Sequence, residues 1–200
     1  MVKRLFDILL SGTGLLVSAP LWPIIAAAIK LYDGGPVFFV QPRVGKGGRL
    51  FRAYKFRSMI PDAARALPFQ ASAEDPRVTR IGGVLRATAM DELPQLFNIL
   101  RGDMSFVGPR PLMPNEIEVR GDGRDMPLVE VPGYAARHAV RPGLTGLTQV
   151  FAPRDIARTS KFRLDLLYVK RANLCLDLRL VALSFWISFR GRWEHRGPKV

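Results

Sequence analysis

Two adjacent carboxylates, Asp91 and Glu92, stand in the stretch Thr88-Ala-Met-Asp-Glu-Leu-Pro-Gln-Leu96 of a chain rich in arginine. An ionised carboxylate can act as a nucleophile or hold a divalent cation. The surrounding cations indicate what it would meet, a phosphate-bearing substrate. A purely architectural reading competes with this one. Thr88-x-x-Asp91 has the form of a capping box, and acidic residues are common at helix starts. A second candidate is Arg110, set between Pro109 and Pro111 in Ser105-Phe-Val-Gly-Pro-Arg-Pro-Leu-Met-Pro-Asn115. The flanking prolines restrict its backbone, which suits anion binding better than a solvated surface role.

These residues need elements to position them. The spacing predicts strands at Val37–Val40 and Leu50–Phe56 joined by the glycine-rich turn Arg43–Gly48. Helices are expected over Pro61–Ala66, Ile81–Arg86, Glu92–Leu100, 158–171 and 174–189, with a polar loop at 67–80 and helical or irregular chain over 116–138. Thr88 would cap the helix carrying the carboxylates, and Pro94 would sit in its first turn, where an N–H has no intrahelical partner. Arg141-Pro-Gly-Leu-Thr-Gly146 reads as a tight loop.

The 200 residues suffice for one domain with a core, and the net charge of +13 implies an anionic partner, whether nucleic acid, anionic lipid or phosphorylated substrate. Recognisable motifs for nucleic-acid binding are lacking, so no nucleic acid is expected. The lone Cys175 forbids an internal disulfide and reads as a small buried hydrophobe. His138 and His195 have no zinc-ligand spacing and read as surface residues.

Residues 5–29 are strongly apolar, about the length that spans a bilayer. Pro20 and Pro23 interrupt the centre and predict a bend near Ser18–Pro20, with the Ser18 hydroxyl as a partner for freed carbonyls. Lys3 and Arg4 precede the segment and Lys30 follows it, so both ends carry the cytoplasmic charge signature. That favours a re-entrant helix over residues 1–32 above a kinked span or a buried soluble hairpin. Residues 33–200 then form one cytosolic unit. Residues 174–189 fit an interfacial helix, with Trp186 and Trp193 at headgroup depth and Arg190, Arg192 and Arg196 toward the anionic lipids of the inner membrane.

Several stretches converge on one family. They are Lys3-Arg-x-x-Asp7, Gly35-Pro-Val-Phe-Phe-Val-Gln41, Tyr54-Lys-Phe-Arg-Ser-Met59, Asp91-Glu-Leu-Pro-Gln-Leu-Phe-Asn98, Gly102-Asp-Met-Ser-Phe-Val-Gly-Pro-Arg-Pro111, Arg141–Gly146 and Leu164-Asp165 with Tyr168. In this order, from Lys3 to about Leu183, they closely resemble the bacterial sugar transferases, the monotopic phosphoglycosyl transferases. The resemblance implies a mostly helical α/β fold: a re-entrant N-terminal membrane helix, amphipathic interfacial helices and a compact cytosolic catalytic unit with a short β-hairpin. It is to the small single-domain members.

The implied reaction moves a sugar-1-phosphate from a UDP-sugar to polyprenyl (undecaprenyl) phosphate on the cytosolic face of the bacterial inner membrane, releasing UMP, with Mg²⁺ as cofactor. Asp91 matches the nucleophile, expected to form a phosphoglycosyl-aspartate, and Glu92 matches its partner acid and metal ligand. Lys55, Arg57 and Arg110 match phosphate-binding positions. Asp165, Tyr168 and Arg141 match further site positions, Asp165 as a group orienting Lys55 or an arginine. An aspartate at the ordinary pKa of about 4 needs no base, and nearby cations are expected to keep it ionised.

Two departures stand out. Ala19 occupies the place usually held by serine before the helix-breaking proline, and Phe151-Ala-Pro-Arg-Asp-Ile156 replaces the usual Asn-Gly-Arg-Asn. The second leaves the sugar undetermined. Oligomeric state is open, a homodimer included. The competing class is a non-enzymatic basic scaffold at the membrane surface, which needs the anchors and the charge but not Asp91-Glu92.

Overall fold

The computed structural model describes residues 1–61, 75–118, 125–153 and 156–193. The expected helix at 61–66, most of the loop at 67–80, Gly121–Gly123, His195 and Arg196 lie outside these residues.

The N-terminal apolar segment forms α1 (Val2–Ser18) and α2 (Leu21–Asp33), bent by 61° at the break. Ala19 and Pro20 keep helical dihedrals there, so the bend turns the chain without unwinding it. Ser18 serves both sides: its hydroxyl donates to Leu15 O at 3.4 Å and accepts from Trp22 Nε1 at 3.1 Å. That satisfies part of what the missing proline N–H removes. No single helix among the described residues is long and apolar enough to cross a membrane, but the bent pair passes by length and composition.

A hairpin follows, β1 (Phe38–Val44) antiparallel to β2 (Leu50–Phe56), with Phe38 opposite Phe56 and Val44 opposite Leu50. The first strand is longer than the sequence predicts and runs through Pro42, which an edge strand tolerates. Next come α3 (Arg80–Ala87), a 3₁₀ turn at Met90–Glu92 and α4 (Gln95–Arg101). Short elements complete the chain: β3 (Ser105–Val107), β4 (Ile117–Glu118), β5 (Met126–Pro127), α5 (Tyr134–Arg137), β6 (Gly143–Thr145) and α6 (Leu147–Phe151). Helices α7 (Arg158–Arg171) and α8 (Leu174–Phe189) follow. β3 pairs parallel with β6, and β4 antiparallel with β5. The architecture is mostly helical with short strands, as the sequence predicts.

The main core gathers Leu96, Ile99, Met104, Phe106, Val107, Val150, Tyr168, Leu180 and Ile187. A second cluster joins Ile25 and Ile29 of α2 to Phe56 and Leu85, and Leu93 packs against both. Polar residues fasten α1 to this core. Asp7 is 1% exposed and accepts from Ser105 Oγ at 2.9 Å and Phe106 N at 3.0 Å. Lys3 Nζ reaches Asp177 Oδ2 at 2.6 Å, whose other oxygen accepts from Tyr168 O–H at 2.7 Å. A buried carboxylate needs such partners, so the two charges of α8 are not equivalent: Asp177 faces inward and Arg179 outward.

The outer faces of these helices remain apolar and exposed. Leu16 and Val17 at the bend are 78% and 75% exposed, and Leu5, Leu9, Ile24 and Leu31 continue the surface along α1 and α2. On α8, Cys175, Leu178, Ala182, Phe185 and Phe189 form an exposed stripe at helical spacing. Apolar surface presented in this way suits a lipid boundary better than water.

Three local expectations are corrected. Thr88 is not an N-cap: it closes α3, its hydroxyl donating back to Val84 O at 2.9 Å, while α3 itself is capped by Thr79, which accepts from Gly82 N. Cys175 is exposed on α8, and His138 is buried. The surrounding packing, rather than residue type, decides both.

Candidate active site

Asp91 and Glu92 sit on a sharp turn between two helices. Ala89 adopts left-handed dihedrals (φ 58°, ψ 17°) and breaks α3 from the 3₁₀ turn, while Pro94 N-caps α4. A non-glycine residue in that region costs on the order of 1 kcal/mol or more, a feature that concentrates at functional sites. Asn98, fully buried, locks the arrangement. Its Oδ1 accepts from Tyr54 N at 3.1 Å and its Nδ2 donates to Arg52 O at 2.7 Å. The end of the motif thereby clamps β2 to α4 and brings Lys55 to the carboxylates.

Lys55 Nζ contacts Glu92 directly and lies 3.9 Å from Asp91 Oδ2, and Arg110 stands 3.6 Å from Glu92 Oε1. All four line one cleft of about 550 Å³. Its described lining includes nine lysine and arginine side chains against four carboxylates, a polarity suited to a polyanion. The two carboxylates diverge electrostatically. Burial pushes Asp91 up to about 6, against the opposing pull of Lys55. Burial also disfavours charge on Glu92, but Lys55 and Arg110 outweigh it and hold the group at about 2. Nearby cations thus secure Glu92 more firmly than Asp91. At neutral pH Asp91 is still mostly ionised, but with weaker solvation than a surface carboxylate has.

The other sequence-predicted residues are distributed unevenly. Arg57 lines the cleft, but its guanidinium forks onto Asp33 at the end of α2 and its Nε donates to Pro36 O at 2.7 Å. It ties the hairpin to α2. Asp165 lines the cleft and holds Arg137 at 2.8 Å while accepting from Thr148 Oγ1 at 2.6 Å. Tyr168 points instead into the core, bonded to Asp177 and Val107 O, outside the described lining. Arg141 also lies outside it, exposed, with Nε donating to Gly102 O at 2.7 Å.

Sequence reasoning missed several cleft arginines, Arg43, Arg86 and Arg137 among them. Arg43, named only as the start of the predicted turn, is half-buried, and desolvation lowers it to about 10. Arg86 stands close enough to Asp91 to lower its pKa. Arg137 lies in a segment without periodicity. No local signal marks any of them, because long-range packing brings them together.

A buried carboxylate beside a second, firmly ionised one, in a cationic cleft near apolar, outward-facing helices, has the charge pattern that suits a phosphate ester. The comparisons with known proteins give that pattern its family. The bacterial sugar transferase profile matches residues 1–191, and the chain belongs to that family. It is 45% identical over 192 residues to an undecaprenyl-phosphate glucose phosphotransferase of Komagataeibacter xylinus, covering 91% of this chain and 35% of that protein. It is 44% identical over 188 residues to the exopolysaccharide production protein PSS of Rhizobium leguminosarum bv. phaseoli, covering 90% of this chain and 91% of that protein. A UDP-N-acetylgalactosamine-undecaprenyl-phosphate N-acetylgalactosaminephosphotransferase of Aeromonas hydrophila is 44% identical over 184 residues, covering 90% of this chain and 42% of its own length.

Proposed function

We propose that this protein is a monotopic phosphoglycosyl transferase of the cytosolic face of the bacterial inner membrane. It moves a sugar-1-phosphate from a UDP-sugar to polyprenyl phosphate in surface glycan assembly. The carrying observation is Asp91, buried at the floor of the cationic cleft with Glu92, Lys55 and Arg110 around it. In the first step an Asp91 oxygen bonds to the sugar-bearing phosphorus while the bond from that phosphorus to the bridging oxygen breaks, so UMP leaves. In the second, an oxygen of polyprenyl phosphate bonds to the same phosphorus and the aspartyl–phosphorus bond breaks, restoring the carboxylate and giving the polyprenyl diphosphate sugar. Division into two displacements implies ping-pong kinetics.

Each neighbour has a task. Burial strips water from Asp91 and raises its basicity, which makes it a better nucleophile once ionised. Lys55 and Arg110 face the diphosphate charge, and Arg110, stiffened by its prolines, can hold phosphate oxygens bidentately. The donor set also fits Mg²⁺. Among the described residues no group of three or more metal-ligating side chains occurs, but Mg²⁺ is typically bound by one or two carboxylates with substrate phosphates completing its shell. Glu92, with Asp91 beside it, would hold the ion, which when bound neutralises charge on the diphosphate. The apolar faces of α1, α2 and α8 would rest in the membrane, α1 and α2 as a re-entrant pair, so that the lipid substrate arrives laterally.

The relatives' names print both glucose and N-acetylgalactosamine, so the sugar is best found by screening UDP-sugars for UMP release. The intermediate has a direct test. Protein incubated with its UDP-sugar and Mg²⁺, without polyprenyl phosphate, should gain a sugar-phosphate mass on the Asp91 peptide. Steady UMP release in the full reaction with that peptide always unmodified would point to direct transfer. Normal biology in an Asp91→Asn variant would favour the scaffold reading.

A further inference from the structure

The loop carrying Arg110 is held by its carbonyls, because two prolines deprive it of amide donors. Val107 O accepts from Lys3 Nζ at 3.1 Å, Gly108 O from Gln149 Nε2 at 3.3 Å and Pro109 O from Gly143 N at 2.9 Å. Pro111 O accepts from Arg43 Nη1 at 3.2 Å and Leu112 O is bonded by Val44 N at 2.9 Å. The remaining carbonyl, that of Arg110 itself, accepts from Arg137 Nη2 at 2.7 Å.

Arg137 is only 2% exposed, and every edge of its guanidinium is occupied. Nε donates to Asp165 Oδ2 at 2.8 Å, and Nη1 lies 3.3 Å from His138 Nε2. His138 Nδ1 in turn lies 2.8 Å from Tyr134 O, and the guanidinium covers the Phe162 ring with 4.8 Å to its centroid. Burial works against the charge of Arg137, and Asp165 offsets it. A cation desolvated to this degree, with Nε, Nη1 and Nη2 each already engaged inside the protein, is not arranged to bind substrate. It is arranged to hold a backbone oxygen still.

We propose that Arg137 is a positioning residue: clamped by Asp165 and His138, it fixes the Arg110 peptide and thereby the Arg110 guanidinium opposite Glu92. This rests on the transferase reading for its kinetic consequence but not for its structural one. The planar fork of arginine matters here, since one side chain must reach Asp165 and the Arg110 carbonyl together. Lysine keeps the charge beside Asp165 but cannot hold both in the same geometry.

The test is a double-mutant cycle read in two ways. Arg137→Lys should lower kcat on the order of ten- to a hundredfold, as expected from sub-ångström to ångström misplacement of a charge-stabilising group, with a smaller change in KM for the UDP-sugar. In an Arg110→Ala background the same substitution should cost little further, because the group it positions is gone. Independent, multiplying losses in kcat would overturn the proposal. The second readout needs no activity. Amide hydrogen exchange of the peptide spanning residues 105–116 should speed up in Arg137→Lys but not in Arg110→Ala, whereas unchanged protection in Arg137→Lys would equally refute it. If Arg137→Lys fails to fold by circular dichroism, Asp165→Asn, which loosens the clamp while leaving Arg137 in place, runs the same cycle. A wild-type chain inert toward every UDP-sugar would sink the transferase reading alone, since the exchange arm still decides whether Arg137 holds the loop.

Discussion

Replacing Asp91 with asparagine should abolish transfer and at the same time stabilise the protein. In the fold Asp91 titrates near 6 instead of its ordinary 3.8, chiefly because burial disfavours the charge. At about 1.4 kcal/mol per pH unit, ionising this group costs the folded state on the order of a few kcal/mol. The sign follows from a folded-state value raised above the unfolded one. Below about pH 4 both states are protonated and there is no cost. The cost grows as pH rises through 4 to 6 and is complete above about 6. A neutral asparagine of the same shape never incurs it. The Asp91→Asn protein should therefore melt on the order of 5–10 °C above wild type at pH 7.5, and the gap should close toward pH 4. Thermal unfolding of detergent- or nanodisc-embedded protein across pH 4–8 measures this directly. A gap that is absent at pH 7.5, or that widens on acidification, would refute the claim that Asp91 is held at the expense of stability. The same value sets the chemistry. Adduct formation at low UDP-sugar concentration should rise about tenfold from pH 5 to pH 7 as the carboxylate ionises, and a flat profile would show that some other group is being titrated or attacked.

Other consequences follow from particular contacts. Asp7→Ala leaves Ser105 Oγ and the Phe106 amide without their acceptor and should cost about 2–4 kcal/mol in denaturant unfolding, whereas a loss below about 0.5 kcal/mol would mean that α1 is not fastened there. Gly143→Ala would set a methyl 2.0 Å from Gly108 N, within the parallel β3–β6 pair. It should cost about 1–3 kcal/mol and lower activity by shifting the Arg110 loop, and wild-type melting with full activity would contradict this. Cysteines placed at either end of residues 1–32 should both be protected from a membrane-impermeant thiol reagent in intact cells, and labelling of one end from outside would restore a full span.

Much of the site is legible in the amino-acid sequence. Asp91, Glu92, Lys55 and Arg110 converge in the cleft because their motifs lie on rigid local elements: a sharp 3₁₀ turn, a strand and a proline-locked loop. The bend at Ser18–Pro20 is equally readable, since proline's missing donor is a local fact. A capping role for Thr88 fails because two helices share that boundary, and the hydroxyl bonds backward to α3 instead of forward.

The sequence by itself determined which chemical groups are present, which segments are apolar, and where the chain must turn, because these depend on side-chain type and on neighbours a few residues away. Only the tertiary structure decided that Tyr168 belongs to the core with Asp177, that Arg57 is spent on Asp33, and that Arg137 clamps the Arg110 peptide. It also decided that burial raises one of two adjacent carboxylates while Lys55 and Arg110 hold the other well below its ordinary value. The reason is that desolvation and charge pairing depend on atoms brought from distant parts of the chain, and no spacing pattern encodes how deeply a given carboxylate is buried or which cation reaches it first.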